Sequence, residues 1–260
     1  MTTLTITPVE GLPEIAPGDD LAQLIARCAA DAIVPGAVVC VVQKLVSKAE
    51  GRLLDLADVD VSETVALLAA SVDRDPRLVQ VILDESAEII RAERGVLICR
   101  THHGYVCANA GIDQSNAGAD DRLVLLPLDP DASARGLRAD LERITGVAPL
   151  AVIVSDSFGR AWRTGQVDVA LGVAGLDPSV PPEGLADRDG RPLAASEPAI
   201  ADELAGAADL VRTKSGGQGV VVISGYGDHV TGRDGPGVGP LLRSRAEDLF
   251  GAREAEPPPA

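Results

Sequence analysis

The sequence predicts an α/β (α+β) protein with mixed β-sheets and flanking helices. Continuous aliphatic, β-branched runs at 37–42, 150–155 and 219–224 are typical of buried strands. Segments 21–30 and 198–210 carry apolar residues at helical spacing. Because strands and helices are interleaved along the chain, we expect them to share one layered core. Aromatic residues make up only 2% of the chain, so that core must consist of Ala, Val, Leu and Ile.

Local signals justify the individual elements. Asp20 and Pro76 are typical of helix starts, and Gly146 is typical of a helix end. The apolar spacing over Leu78–Ile90 predicts one continuous helix. Trp162, the sole tryptophan, is expected to pack rather than to take part in catalysis. In chain order, we expect strands at 4–6, 37–42, 95–100, 150–155, 167–173 and 219–224, and helices at 21–30, 62–70, 75–90, 131–145 and 198–210.

Composition and net charge limit the possible domain organisation and the classes of binding partner. The 260 residues are 46% hydrophobic and 24% charged, which is the mix of a globular chain. We expect 1–250 to form a single unit, either undivided or as two intertwined subdomains, and 251–260 to be a disordered tail. The net charge of −16 argues against nucleic-acid and anionic-membrane partners, because such partners need a basic face.

Cysteine usage and the chain start indicate the compartment. Cys28, Cys40, Cys99 and Cys107 contain no Cys-x-x-Cys pair, so zinc-site spacing is absent. Cys40 and Cys99 stand in apolar runs and are expected to be buried thiols. The first residues lack the features of a signal peptide, and no apolar run is long enough to span a bilayer. A reducing cytoplasm therefore fits best.

Two polar segments carry candidate metal ligands. Asp113 and Asn116 offer hard oxygen groups, which magnesium and manganese prefer, although the same residue types also build Asx turns. Asp156 and Ser157 follow the apolar strand 150–155, where a carboxylate is a common metal ligand and also a common helix cap. The nearby Arg160 suits phosphate or carboxylate recognition, or an ordinary surface ion pair.

Two further segments can hold phosphate. Lys48 lies shortly after the strand 37–42 and is a candidate point charge for a nucleotide phosphate, with an exposed helix lysine as the alternative. No Walker A sequence accompanies it. The Gly-rich segment 214–219 can wrap a phosphate with its backbone N–H groups, or it can serve as a flexible connection.

Taken together, these segments resemble one known family. The resemblance covers about Val9 to Leu210, and it is to the coenzyme F420-0:L-glutamate ligase (gamma-glutamyl ligase) family. It implies that family's own α/β fold, in a stand-alone ligase without a fused reductase domain. The segments that carry it, in the family's order, are 10–13, 17–21, 47–52, 109–116, 128–135 and 155–160.

The resemblance implies a GTP- and divalent-metal-dependent ligase that forms amide bonds between an acid and an amino acid. Members of the family add L-glutamate to the carboxylate of the phospholactyl side chain of F420-0, a deazaflavin, and then extend a gamma-linked tail. Two divalent ions, Mg or Mn, and potassium are implied, together with an intertwined homodimer. Transfer of the gamma-phosphoryl group of GTP to the carboxylate would make an acyl phosphate that an amine can attack.

Carried over residue by residue, the resemblance also implies the site. The catalytic roles would fall on Lys48 and Arg160. The metal ligands would be Asp113, Asp156 and Ser157. The GTP contacts would be Glu10, Gly11, Leu12, Pro13, Gln43, Lys48, Asn116, Ser215 and Gly216.

The chain departs from the family pattern near its end. Lys214 stands where archaeal members would place an acidic metal ligand, and the region 220–250 is atypical. Two alternatives therefore accompany the F420 ligase: a GTP-dependent amide ligase of the same fold with a different carboxylate acceptor, and a non-catalytic GTP- or metal-binding module. Turnover with the deazaflavin separates the two ligases from each other, and the binding module would bind nucleotide without glutamate-dependent GTP hydrolysis.

Overall fold

The chain forms two compact units. The computed structural model describes residues 3–29, 31–114, 121–181, 188–189, 191, 197–212, 218–248 and 250. The larger unit consists of Met1–Leu53 with Val124–Leu241, and the smaller unit of Leu54–Leu123 with Leu242–Ala260. The smaller unit is thus largely an insertion between the two halves of the larger one. The expected disordered tail, 251–260, lies outside the described residues.

The described residues contain ten strands and six α-helices. In chain order they are β1 (Thr5–Pro8), α1 (Leu21–Cys28), β2 (Val38–Val42), α2 (Gln43–Ala49), β3 (Leu53–Asp55), α3 (Glu63–Val72), α4 (Pro76–Asp84), β4 (Ser86–Glu93), β5 (Val96–Thr101), β6 (Val106–Ala108), β7 (Arg122–Val124), α5 (Pro130–Thr145), β8 (Ala151–Arg160), β9 (Arg163–Ala174), α6 (Ile200–Asp209) and β10 (Val220–Ser224). None of the described helices is long and apolar enough to cross a membrane.

A five-stranded mixed sheet organises the larger unit. Its strand order is β1-β10-β2-β8-β9, and only the central β2–β8 pair is parallel. Helices α1 and α5 pack on one face against alternate residues such as Val39, Val152 and Val222. Helix α6 covers the other face, where the Cys40 thiol approaches the Leu204 carbonyl. The predicted α/β class with a mixed sheet and flanking helices is confirmed.

The helix boundaries follow from local chemistry. Asp129 caps α5, since its carboxylate accepts a hydrogen bond from the backbone N–H of Ala132 at 2.9 Å. Pro130 occupies the first turn, where a missing N–H costs nothing. Gly146 ends the helix at φ 70°, a conformation that favours glycine. The helix predicted over 131–145 is therefore confirmed.

The smaller unit corrects one prediction. Its helices α3 and α4 accompany the three-stranded sheet β4-β5-β6, while β3 and β7, where the chain passes between the units, form a two-stranded sheet. The continuous helix expected over 75–90 is wrong, because Ile89 and Ile90 lie in β4. The Ser86 hydroxyl donates to the Ile82 carbonyl at 2.5 Å and closes α4. Register shifts in β4 then break the strand alternation, so its apolar spacing imitates a helix.

The β8–β9 hairpin corrects two further expectations. The pairing of β8 with β2 stops at Ser155, whereas β8 continues to Arg160, so residues 156–169 form a two-stranded arm. Asp156 therefore lies within a strand rather than after it. The expected packing of Trp162 is wrong, because this side chain sits at the turn of the arm and is 74% exposed. The expected burial of Cys40 and Cys99 is confirmed.

Replacement of Gly172 or Gly136 by alanine should change the stability of the protein in opposite directions. At Gly172, in β9, an added Cβ would lie 2.0 Å from the Pro130 carbonyl oxygen at the start of α5. Gly172→Ala should therefore lower the free energy of unfolding by about 1–3 kcal/mol or more. Gly136, exposed in α5, has nothing within 4 Å of an added Cβ. Gly136→Ala should raise it by about 0.5–1 kcal/mol through helix propensity.

Urea denaturation of the two variants and the wild type measures both changes. A wild-type midpoint for Gly172→Ala would show that β9 and α5 are not in close backbone contact.

Candidate functional site

The parallel strands β2 and β8 place two candidate segments at one sheet edge. Val42, the last residue of β2, pairs with Ser155 of β8. Helix α2 begins at the next residue, Gln43, and Asp156 is the next residue of β8. Because parallel strands end at the same edge of a sheet, the start of α2 and Asp156 lie next to each other.

Helix α2 presents a buried ammonium group. The side chain of Lys48 is 7% exposed, and its Nζ donates to the carboxylate of Glu14, which is 81% exposed. On the same helix, the Ser47 hydroxyl donates to the Gln43 amide oxygen at 2.8 Å. The alternative of an exposed Lys48 is therefore wrong. A buried ammonium paired with one exposed carboxylate is suited to bind an anion such as phosphate.

The segment 10–13 lies between β1 and Glu14, so the Lys48–Glu14 contact brings its end to α2. Gly11 has φ 81°, which favours glycine, and its carbonyl accepts from the Cys28 thiol at 3.5 Å. Leu12 packs against the core, whereas Glu10 and Pro13 are exposed. Four of the predicted GTP contacts therefore form one largely exposed turn anchored by a single apolar side chain.

A buried polar cluster on β8 and β9 was not anticipated from the sequence. We call Ser155, Ser157, Asp168 and Arg212 the Asp168 cluster. Asp168 accepts from the Ser157 hydroxyl at 2.7 Å and from the Ser155 hydroxyl at 3.0 Å. Arg212 pairs with the same carboxylate, and the Asp168 and Arg212 side chains are 2% and 7% exposed. A lone charged residue within the apolar run 167–173 was the available signal for Asp168.

Arg212 links the cluster to β2. Its Nη1 donates to the Ser155 hydroxyl and its Nη2 to the Cys40 carbonyl, each at 3.0 Å. The pKa of the Cys40 thiol is raised to about 12, mainly because the thiol is buried; the Arg212 charge opposes this shift, and the Asp168 charge adds to it. No sequence pattern marked Arg212, because a charged residue after a helix is ordinary.

Asp113 follows a constrained turn in the smaller unit. The three residues Asn109, Ala110 and Gly111 all have positive φ, at 51°, 53° and 72°. For Asn109 and Ala110 this conformation is strained, and such strain persists only where the surroundings impose it. The Asn109 amide oxygen accepts from the backbone N–H of Leu97 at 3.3 Å and ties the turn to β5. The turn thereby fixes the backbone just before Asp113.

The predicted metal ligands are divided between the units. Asp156 and Ser157 belong to the larger unit and Asp113 to the smaller one. Within the described part of the chain, no group of three or more His, Cys, Asp or Glu side chains is arranged to hold a metal ion. The oxygen donors of these three residues nevertheless suit Mg²⁺ or Mn²⁺ by their chemistry.

Other predicted residues lie apart or outside the described chain. Arg160 is exposed near the turn of the β8–β9 arm, where its guanidinium donates to the Thr164 carbonyl at 2.8 Å. It stands four residues beyond Asp156, or about 13 Å along a strand. Asn116, Ser215 and Gly216, and likewise Lys214, lie outside the described residues.

Comparison with known proteins identifies the class as a ligase. The family model described as F420-0:Gamma-glutamyl ligase matches residues 11–225. The chain therefore belongs to the F420-0:gamma-glutamyl ligase family, as the resemblance in sequence predicted.

Curated relatives share nearly the whole chain. A protein of Methanothermobacter thermautotrophicus named coenzyme F420:L-glutamate ligase is 43% identical over 252 residues, covering 95% of this chain and 98% of its own. Proteins of the same name from Haloarcula marismortui and Methanopyrus kandleri are 42% and 38% identical, over 87% and 96% of this chain and 90% and 98% of their own.

The cysteines should differ in reactivity. Cys40 is fully buried with its pKa raised to about 12, whereas Cys28 is partly exposed. In the native protein at mildly alkaline pH, DTNB should therefore modify Cys28 and leave Cys40 intact. Absorbance during the reaction measures this, and Cys28→Ser should abolish the fast phase. A fast phase lost in Cys40→Ser instead would contradict the burial.

The raised pKa of the Cys40 thiol makes the stability of the fold depend on pH. The Cys40 thiol stays protonated in the fold, whereas an unfolded chain ionises it near its ordinary value of 9.0. The contribution of the protonated Cys40 thiol to the free energy of unfolding is therefore complete below pH 9.0 and is lost as the pH rises towards 12.

Proposed function

We propose that this protein is a GTP- and divalent-metal-dependent ligase that adds L-glutamate to the side-chain carboxylate of coenzyme F420-0 and extends a gamma-linked tail. The observation that carries the proposal is the 43% identity over 95% of the chain to a protein named coenzyme F420:L-glutamate ligase. The buried ammonium of Lys48 at the sheet edge supports the nucleotide part of the proposal.

The reaction balances in two steps. A carboxylate oxygen of the acceptor attacks the gamma-phosphorus of GTP, and the bond to the beta-phosphate oxygen breaks, which gives an acyl phosphate and GDP. The amino nitrogen of glutamate then attacks the acyl carbon and loses a proton as phosphate departs. Because both steps move charge on phosphate oxygens, positioning and charge neutralisation are the main tasks of the protein.

Residues of this chain suit those tasks. Lys48 would hold a phosphate of GTP, with Gln43 and the exposed turn 10–13 as further contacts. The oxygen donors of Asp113, Asp156 and Ser157 would hold Mg²⁺ or Mn²⁺. When bound, such ions neutralise phosphate charge. Two divalent ions and potassium, Arg160 as a catalytic group, and Asn116, Ser215 and Gly216 as GTP contacts belong to the same proposal.

A homodimer in the cytoplasm is part of the proposal. The exposed Trp162 at the turn of the β8–β9 arm is of a residue type that is enriched in protein–protein interfaces, which supports contact with a second copy. All four cysteines are free thiols, which suits a reducing compartment. Light scattering after gel filtration measures the mass in solution, and a monomer would contradict this part of the proposal.

Mass spectrometry of the product tests the activity. With GTP, Mn²⁺ or Mg²⁺, L-glutamate and F420-0, the deazaflavin should gain one or more glutamyl units. Asp113→Ala should abolish the gain, because a proposed metal ligand is lost, whereas Asp60→Ala removes an exposed carboxylate of the same unit and should retain it. GTP binding without any mass gain would favour the ligase for another acceptor. Full activity of Asp113→Ala would contradict its role as ligand.

The Glu14 carboxylate should compete with the nucleotide. Because Glu14 pairs with Lys48, a phosphate must replace it or share the ammonium. Glu14→Gln should therefore tighten GTP binding by about twofold to fivefold, because the carboxylate that it neutralises is solvated and contributes little to the ion pair. Isothermal titration calorimetry measures this, with Lys48→Met as the reference that loses affinity. Weaker binding by Glu14→Gln would mean that Glu14 supports the nucleotide instead.

A further inference from the structure

We propose that Asp168 is a positioning residue, which holds the Ser157 hydroxyl as an oxygen ligand for a divalent cation, with Arg212 as its fixed counter-ion. This inference rests on the metal-dependent function proposed above and adds two residues to it. Neither residue is among the ligands that the family resemblance implies.

The first step concerns the hydroxyl hydrogen of Ser157. A hydroxyl has one hydrogen and two acceptor lone pairs. Ser157 donates its hydrogen to Asp168 at 2.7 Å, so its lone pairs face away from that carboxylate. A hydroxyl that ligates a cation must direct its hydrogen elsewhere, and Asp168 provides that acceptor. Such partners behind a ligand typically change metal affinity by about 10- to 100-fold.

The second step concerns the rigidity of Asp168. Ser157 and Asp168 are directly opposite in the β8–β9 register. The other carboxylate oxygen accepts from the Ser155 hydroxyl at 3.0 Å and from Arg212. With both oxygens engaged and the side chain 2% exposed, Asp168 has one orientation available. Ser157 therefore receives an acceptor in a defined position.

The third step concerns charge. A buried carboxylate needs a partner, and the Arg212 guanidinium provides one inside the cluster. Arg212 is itself anchored to the Cys40 carbonyl of β2 and to the Ser155 hydroxyl, each at 3.0 Å. The pair is neutral overall, so it orients Ser157 without adding net charge to the site.

Mn²⁺ binding tests the proposal without relying on turnover. Free Mn²⁺ is titrated by electron paramagnetic resonance with the full-length protein. Ser157→Ala and Asp168→Ala should each weaken Mn²⁺ binding about tenfold or more. If Asp168 acts through Ser157, the double variant Ser157→Ala/Asp168→Ala should bind no more weakly than either single variant. Additive losses would overturn the proposal, because they would mean that Asp168 acts independently.

Ser71→Ala is the control. It removes an exposed hydroxyl of α3, in the smaller unit, that donates to the Leu68 carbonyl, and should change Mn²⁺ affinity by less than about threefold. Asp168→Ala leaves Arg212 buried without its counter-ion and can fail to fold. Asp168→Ala/Arg212→Met removes both charges, keeps the volume of the pair largely filled, and should show the same loss of affinity.

The outcomes separate this inference from the proposed function. Wild-type Mn²⁺ affinity in Asp168→Ala or in Asp168→Ala/Arg212→Met overturns the positioning role and leaves the metal-dependent ligase standing. No Mn²⁺ binding by the wild type overturns both.

Discussion

The parallel pairing of β2 and β8 is the constraint on which the site in the larger unit depends. All other neighbours in the five-stranded sheet are antiparallel, so this pair alone brings two strand ends to one edge in the same direction. At that edge the chain turns into α2 after β2, whereas β8 continues into an arm. The start of α2, the helix that carries Lys48, and Asp156 consequently lie next to each other although they are far apart in sequence. An antiparallel pairing would separate them by the length of a strand.

Two buried cationic side chains of this strongly acidic chain are each paired with a nearby carboxylate. The net charge is −16, yet Lys48 and Arg212, two buried cationic groups among the described residues near the sheet edge, each have a carboxylate partner, Glu14 and Asp168 respectively. The partners differ in exposure, at 81% and 2%. A solvated carboxylate can leave its partner at low cost, whereas a buried one cannot. Lys48 is thus available to a ligand, and Arg212 is committed to the fold.

Sequence patterns predicted the larger unit better than the smaller one. The strands at 37–42, 150–155 and 219–224 are central and covered by helices on both faces, so their apolar runs are continuous and easily recognised. Strand β4 has half-exposed residues and register shifts, and its pattern therefore resembled a helix. The position of Lys48 after a strand identified it as a candidate phosphate contact, but no sequence pattern predicted that its side chain is buried. The Asp168 cluster depends on contacts between β2, β8, β9 and Arg212, three residues beyond the end of α6, which no local pattern encodes.

The insertion of the smaller unit has a consequence for how the chain acquires its structure during synthesis. β2 leaves the ribosome before the inserted residues, and its parallel partner β8 leaves after them. Strand β1 likewise cannot pair until β10 has been synthesised, because Thr5 pairs with Ser224. Helices α3 and α4 and the β4-β5-β6 sheet, by contrast, make contacts between neighbours in sequence. Because closing long loops slows folding, we expect the inserted part to form first and the five-stranded sheet, which contains Asp156 and leads into the Lys48 helix α2, to close last.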